Sequence, residues 1–348
     1  MYLIDTKEEK IVRSSNYNSI FNKKTGFFAR WGKTKDEDPD YSPYGNEIAD
    51  IEISTICNGV DGIGPCKFCY KANTGKGEYM SFDTFKTVFH RLPKITNQIA
   101  FGIGDIPANP DMWKIFDYCR ENGVIPNVTV NGQGTTDEVA TKLVEKCGAI
   151  AVSLYDEDKT FDTIKKLTDL GLKQCNIHFM ISEETYDKAL DLLKRVKTEP
   201  RLEKLNAIVF LSLKQKGRAK KNFTKLSLDK FKSLFEYAIE NNINIGFDSC
   251  SAQKAFQSIK GTQYEERFSQ FIEPCESTRM SIYADVNAKI YPCSFSPGID
   301  GWEDGISMLT EDFDFMRDVW NNERTIQFRN KCIDCNKNGI SCPADFEI

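Results

Sequence analysis

Histidine is nearly absent from this chain: His90 and His178 are the only two among 348 residues. Both fall inside segments that read as regular elements, so a histidine-ligated metal site has little to draw on. No apolar run is long enough to span a bilayer, and the opening MYLIDTKEEK lacks the apolar stretch of a signal peptide. A soluble, cytoplasmic protein with no membrane partner is expected. An excess of positive charge is missing too, with 46 Lys and Arg against 51 Asp and Glu and a formal charge of −5. This argues against a polycation that grips a nucleic-acid backbone, and nucleic acid is not expected as a partner. The first βα turn has no GxGxxG, which disfavours a dinucleotide-binding sheet.

What the chain does have is a core and cysteines. Hydrophobic residues make up 40%, including 24 Phe, and the length suits one large α/β unit with an appendage. Between residues 48 and 249, seven Ile-, Val- and Phe-rich strands alternate with amphipathic helices. Six complete βα repeats predict a parallel sheet rolled into a partial (β/α)6 TIM-like barrel over 48–250. Residues 1–47, with Phe27, Phe28 and Trp31, read as an extension that caps the barrel. From 251 to 348 the alternation stops, leaving a small Cys-rich domain with a hairpin-like MSIYADVNAKIYPC and one helix.

The 12 cysteines carry the chemistry, since a reducing compartment gives little use for disulfides. Cys119, Cys147 and Cys175 lie in periodic segments and read as small core residues. Cys57, Cys66 and Cys69 share a Gly-rich loop just past the first barrel strand, where parallel barrels do their chemistry. Three thiolates there can hold three irons of a 4Fe–4S cluster and leave the fourth iron open. Zinc or a plain loop are the alternatives. Cys275, Cys293, Cys332, Cys335 and Cys342 form a second metal-ligand set, in which the C-x2-C pair suits a cluster or a zinc knuckle.

Cysteines at that strand end, with Phe68 just before Cys69, resemble the radical S-adenosylmethionine (SAM) superfamily. Its usual C-x3-C-x2-C is matched in the last interval, whereas eight residues separate Cys57 from Cys66. Further positions follow in order. Gly102, Gly104 and Asp105 in GIGDIP resemble the GGEP-type segment, and Asn131 before Gly132 resembles TNG. Ser153 ends the fourth strand, His178 lies in the fifth, and Arg218 sits in a GR-containing segment. The resemblance implies that these residues bind the cofactor: SAM chelated to a 4Fe–4S cluster and cleaved to a 5′-deoxyadenosyl radical. It also implies a flavodoxin- or ferredoxin-type electron donor, a peptide or small-molecule substrate, and a monomer.

The tail resembles the SPASM/twitch extension. Its five cysteines suit one auxiliary 4Fe–4S cluster, with Cys275, Cys293, Cys332 and Cys335 as ligands and Cys342 in reserve. The Gly that SPASM places five residues before its second Cys is Ala288 here, so an altered turn is expected. Cys250 after the seventh strand reads as a hydrogen donor with Asp248 as a base, or else as a buried link or cluster ligand. Lys214, Lys216, Arg218, Lys220, Lys221 and Lys225 read as a solvated face, with contact of one member to the SAM carboxylate, or docking of an acidic peptide or nucleic-acid strand, as the functional alternatives. Peptide or protein modification is the leading expectation. A small-molecule or nucleotide dehydrogenase and a zinc-stabilised binding protein are its rivals.

Overall fold

Alternate residues of each barrel strand are apolar, and alternation is what a strand needs to bury one face under helices. In the computed structural model, which describes residues 1–338 with Cys342 and Ala344, seven such strands lie side by side in chain order. They are β5 (Ile48–Glu52), β6 (Gln98–Gly102), β7 (Ile125–Val130), β8 (Ala149–Ser153), β9 (Gln174–Ile181), β10 (Ala207–Ser212) and β11 (Ile245–Phe247). All six neighbouring pairs are parallel. The crossovers carry α1 (Phe82–Arg91), α2 (Met112–Glu121), α3 (Asp137–Lys146), α4 (Glu157–Asp169), α5 (Tyr186–Arg195) and α6 (Leu228–Glu240). Ser81, Thr136 and Asp156 start α1, α3 and α4 by accepting from the free backbone N–H groups of the first turn. This is the expected α/β partial barrel of six βα repeats.

Outward residues such as Ile51, Ile99, Val152, Ile177 and Ile208 join the helices in one core. The inward set is more polar: Asp50, Glu52, Gly102, Thr129, Ser153, His178 and Gly246 stand there beside Met180, Val209 and Leu211. Barrels of this class are usually filled by branched side chains. Here Gly102 and Thr129 remain solvent-exposed and Asp50, Ser153 and His178 half-buried, so the lumen has room.

Within the first 47 residues, a separate antiparallel sheet is formed by β1 (Tyr2–Asp5), β2 (Glu9–Arg13), β3 (Asn18–Asn22) and β4 (Phe28–Trp31). It docks where the barrel strands begin. Lys10 Nζ donates to Thr96 O at 2.5 Å, and Gln174 Nε2 donates to Thr25 O at 3.1 Å. It therefore lies under the end opposite the cysteine loops.

After α7 (Ala252–Ile259) and α8 (Glu265–Phe268), the chain returns to the barrel. β12 (Ser281–Ala284) pairs in parallel with β5, and β13 (Lys289–Tyr291) and β14 (Ile306–Ser307) extend the sheet antiparallel. The result is one ten-stranded sheet with β11 and β14 at its edges. α9 (Glu323–Asn338) closes over the hairpin. Part of the 251–348 span lies outside the described residues. Among those described, no helix is long and apolar enough to cross a membrane.

Candidate functional site

The loop after β5 is shaped by backbone contacts with the end of β6. Gly102 O accepts from Ile53 N at 2.8 Å, and Asp105 N donates to Ile56 O at 2.9 Å. Gly104, at φ +62°, presses so close that a Cβ would lie 2.0 Å from Ile56 O, so only glycine fits beside Cys57. Asp105 Oδ2 accepts from Asn58 N at 2.5 Å and from Asn58 Nδ2 at 3.0 Å. Burial, then the Asp105 charge, pushes the Cys57 thiol up to about 11. Cys66 and Cys69 lie within hydrogen-bonding reach of each other. That contact brings Cys69 down to about 5 and raises Cys66, whose thiol also reaches the Tyr155 hydroxyl. The Phe68 ring packs on Tyr155, with centroids 5.4 Å apart.

A second segment holds this loop from the other side. Arg218 N donates to Cys69 O at 3.0 Å, Arg218 Nε to Cys66 O at 2.9 Å and Arg218 Nη1 to Asn73 O at 2.9 Å. Gly217, at φ +58°, would place a Cβ 2.4 Å from Tyr70 O. From the same segment Lys216 Nζ donates to Phe295 O at 2.8 Å and Pro297 O at 2.7 Å, beside Cys293. The Tyr70 ring meets the Phe295 ring at 4.3 Å. The first cysteine loop and the Cys293 loop are therefore in direct contact.

The second set of thiols also converges. Cys275 is hydrogen-bonded to Cys332, which brings it down to about 6; burial and then the Cys275 charge raise Cys293, and Cys293 in turn adds its charge to Cys332. Cys250 is close enough to feel Lys214, Asp248, Cys275 and Cys293, and burial raises its thiol. Cys342 and Cys275 each pack against the small core of Tyr283, Trp302 and Phe328. Cys335 sits on α9, where its carbonyl accepts from Gln253 Nε2 at 3.2 Å. Among the described residues no three His, Cys, Asp or Glu side chains already form a metal-chelating group. Each set converges without closing to ligand distance.

No family model matches the chain, and no curated protein does. Solved structures do. Streptococcus suis SuiB superposes with a TM-score of 0.65 at 13% identity, covering 92% of this chain and 88% of that one. SuiB bound to its precursor peptide SuiA gives 0.66, also at 13% identity, with 92% and 89% covered. anSMEcpe with bound AdoMet and the Cp18Cys peptide gives 0.59 at 14% identity, with 83% and 86% covered. The chain has the fold of the radical SAM enzymes. At such identities the likeness concerns the fold alone.

Within the radical SAM fold, the residues singled out from the sequence take these places. Cys57, Cys66, Cys69, Phe68, Gly104, Asp105 and Arg218 share one neighbourhood after β5. Gly102, Ser153 and His178 line the lumen, and burial lowers His178 to about 4, so it is neutral near pH 7. Asn131 Oδ1 accepts from Gln133 N at 3.0 Å, and Gln133 Nε2 donates to Asp61 of the cysteine loop at 2.6 Å. Ala288 keeps a left-handed φ of +60°, so the tight turn survives the loss of glycine. Such a conformation costs an alanine about 1–2 kcal/mol. The basic run is not a uniform solvated face, and this corrects the expectation. Lys214 is 5% exposed and paired with Asp248, while Lys216 and Arg218 are half-buried and bonded to both cysteine loops. Asp248, expected as a base beside Cys250, also takes the Ser251 hydroxyl. Sequence reasoning missed Asn58, Tyr155 and the Lys71–Glu52–Tyr283 group, none of which sits in a spacing motif.

Among the described residues, two buried polar atoms in the first neighbourhood lack partners: Asp105 Oδ1 and Arg218 Nη2. Buried polar atoms are nearly always satisfied, so such an exception points to a missing partner. One is an anionic acceptor and the other a cationic donor, both beside a three-thiol loop. This donor set fits an iron–sulfur group together with an amino acid bearing both an ammonium and a carboxylate.

Proposed function

We propose that this protein is a radical SAM enzyme that modifies a peptide or protein. The observation that carries the reading is the pair of unpartnered atoms, Asp105 Oδ1 and Arg218 Nη2, beside Cys57, Cys66 and Cys69. A methionyl head group offers an ammonium to the first and a carboxylate to the second, and charge-assisted bonds of this kind are the strong ones. The three thiolates would hold a 4Fe–4S cluster. With SAM bound, that cluster would supply a 5′-deoxyadenosyl radical for hydrogen abstraction.

The chain itself orients and encloses. Asp105 and Arg218 fix the amino-acid end, and Phe68 and Tyr155 form an apolar wall at the loop. Asn131, Ser153 and neutral His178 offer hydrogen bonds from neighbouring strand ends. The unfilled lumen leaves room for a substrate side chain. Two structural neighbours were solved with peptides bound, which supports a peptide over a small alcohol. Cys275, Cys293 and Cys332, with Cys335 from the same helix, would hold one auxiliary cluster, with Cys342 in reserve. Cys250 stands near enough to Cys275 and Cys293 that we read it as a member of this thiol set before a hydrogen donor.

Anaerobic iron and sulfide counting on the wild type and on a Cys57/Cys66/Cys69→Ala triple variant tests the reading. About four irons should be lost with the first set. An unchanged iron content, or colourless protein carrying stoichiometric zinc, overturns it.

A further inference from the structure

A parallel strand bonds its two neighbours through alternate residues, so a strand with one neighbour has half of its backbone groups left over. β11 is such a strand. Asn244 O accepts from Ile208 N at 3.0 Å, and Asp248 N donates to Phe210 O at 3.1 Å, both on the β10 side. The N–H and C=O groups of Ile245 and Phe247 therefore point to the other flank, where no strand among the described residues pairs with them. That flank opens on a cavity of about 630 Å³, which reaches from Asn244 to Ser249, the residue before Cys250. At about 3.3 Å per residue, this length matches roughly five residues of extended chain.

The opposite wall decides what fits. Phe268, Phe271 and Ile272 stand across the cavity from β11, and Phe271 is 67% exposed. Large apolar side chains left open beside unpaired backbone mark an interaction site. A slot walled on both sides takes one extended chain, whereas the sheet edge of a second folded copy needs an open flank. The lining is also selective in charge, with Glu273 and Glu276 against Arg267 alone. Glu273 lies 3.8 Å from Arg30, but that guanidinium is already shared by Glu47 and Asp38. We infer that this slot holds the peptide substrate by strand addition to β11, and that it selects a lysine or arginine flanked by apolar residues. The inference rests on the proposed function and locates where the substrate is gripped outside the lumen. Main-chain bonds to Ile245 and Phe247 supply affinity, the aromatic wall takes alternate apolar side chains, and the carboxylates take the cation.

The test uses the reconstituted holoenzyme without SAM and a fluorescein-labelled heptapeptide that alternates valine and threonine around a central lysine. Fluorescence anisotropy should show saturable binding. Replacing the lysine by glutamate should weaken it about tenfold or more, because like charges brought together are costly. N-methyl groups on alternate residues should abolish binding in one register and be tolerated in the other, since only every second residue faces the strand edge. Glu273→Gln/Glu276→Gln should keep its iron and bind lysine and norleucine peptides equally, whereas the wild type prefers lysine. A benzophenone in the peptide should crosslink to Phe268 or Phe271. Methylation tolerated in both registers, equal binding of the lysine and glutamate peptides, crosslinks elsewhere, or no binding refutes the slot. So does a dimer in sedimentation that the peptide cannot dissociate, which would give β11 to a second copy. Binding is read apart from iron. A peptide that binds while the Cys57/Cys66/Cys69→Ala variant keeps all its iron sinks the proposed function and spares the slot. Iron lost as expected with no peptide bound does the reverse.

Discussion

At the scale of single residues, His178 shows how burial sets chemistry. Its imidazole is pushed down to about 4 by burial, against an unfolded value near 6.5. Between those values the unfolded chain takes up a proton that the native chain does not, so stability falls as pH drops from about 6.5 to about 4. Above 6.5 the group contributes nothing to the slope. His178→Gln should therefore flatten the acid limb of urea-denaturation stability by up to about 3 kcal/mol at pH 4. An identical acid limb would mean that His178 titrates normally. Asp50 and Glu276, raised by burial to about 6 and about 7, work in the opposite direction and remain in the variant. At this scale ordered motifs in the sequence singled out residues that the fold brings together: Cys57, Cys66, Cys69, Phe68, Asp105 and Arg218. The sequence was silent on Asn58 and Tyr155, whose roles come from contacts across 47 and 89 positions.

At the scale of elements, the first cysteine loop is tied to β12 by a compact polar group. Tyr283 donates to Glu52 Oε2 at 2.8 Å, and Lys71 Nζ lies 3.4 Å from the same oxygen and 4.2 Å from the Tyr283 ring centre. Glu52 is held above the usual carboxylate range by burial, with Lys71 opposing. Tyr283→Phe removes one donor from a buried carboxylate, which costs about 1–3 kcal/mol. Amide hydrogen exchange should also quicken around Lys71. An unchanged exchange rate there would show that the loop does not depend on this tie. The strands and helices of the barrel were legible because period-2 and period-3.6 patterns record burial directly. The N-terminal sheet was not. Its strands run to five residues at most, and half-buried positions such as those of β4 blur the alternation.

At the scale of the whole molecule, the second thiol set is built onto the barrel, since β12 supplies the second neighbour of β5. A chain cut after Cys250 would leave β5 with an open row of backbone donors and acceptors, a template for aggregation. Such a fragment should sediment as aggregate. A monomeric fragment with native far-UV circular dichroism would show that the barrel stands without β12. The sequence suggested a barrel followed by a cysteine-rich tail. It could not reveal that the tail completes the sheet, because pairing between residues 48 and 281 leaves no local trace.

That pairing also sets a clock on biosynthesis. β5 is made early, yet its partner follows more than two hundred positions later. At ribosomal speeds the wait is on the order of tens of seconds. Throughout it, a nascent strand with one bare flank has to be shielded by chaperones or by its own helices. Slow codons or cold growth would lengthen that exposure, and yield should suffer before the finished protein loses any stability.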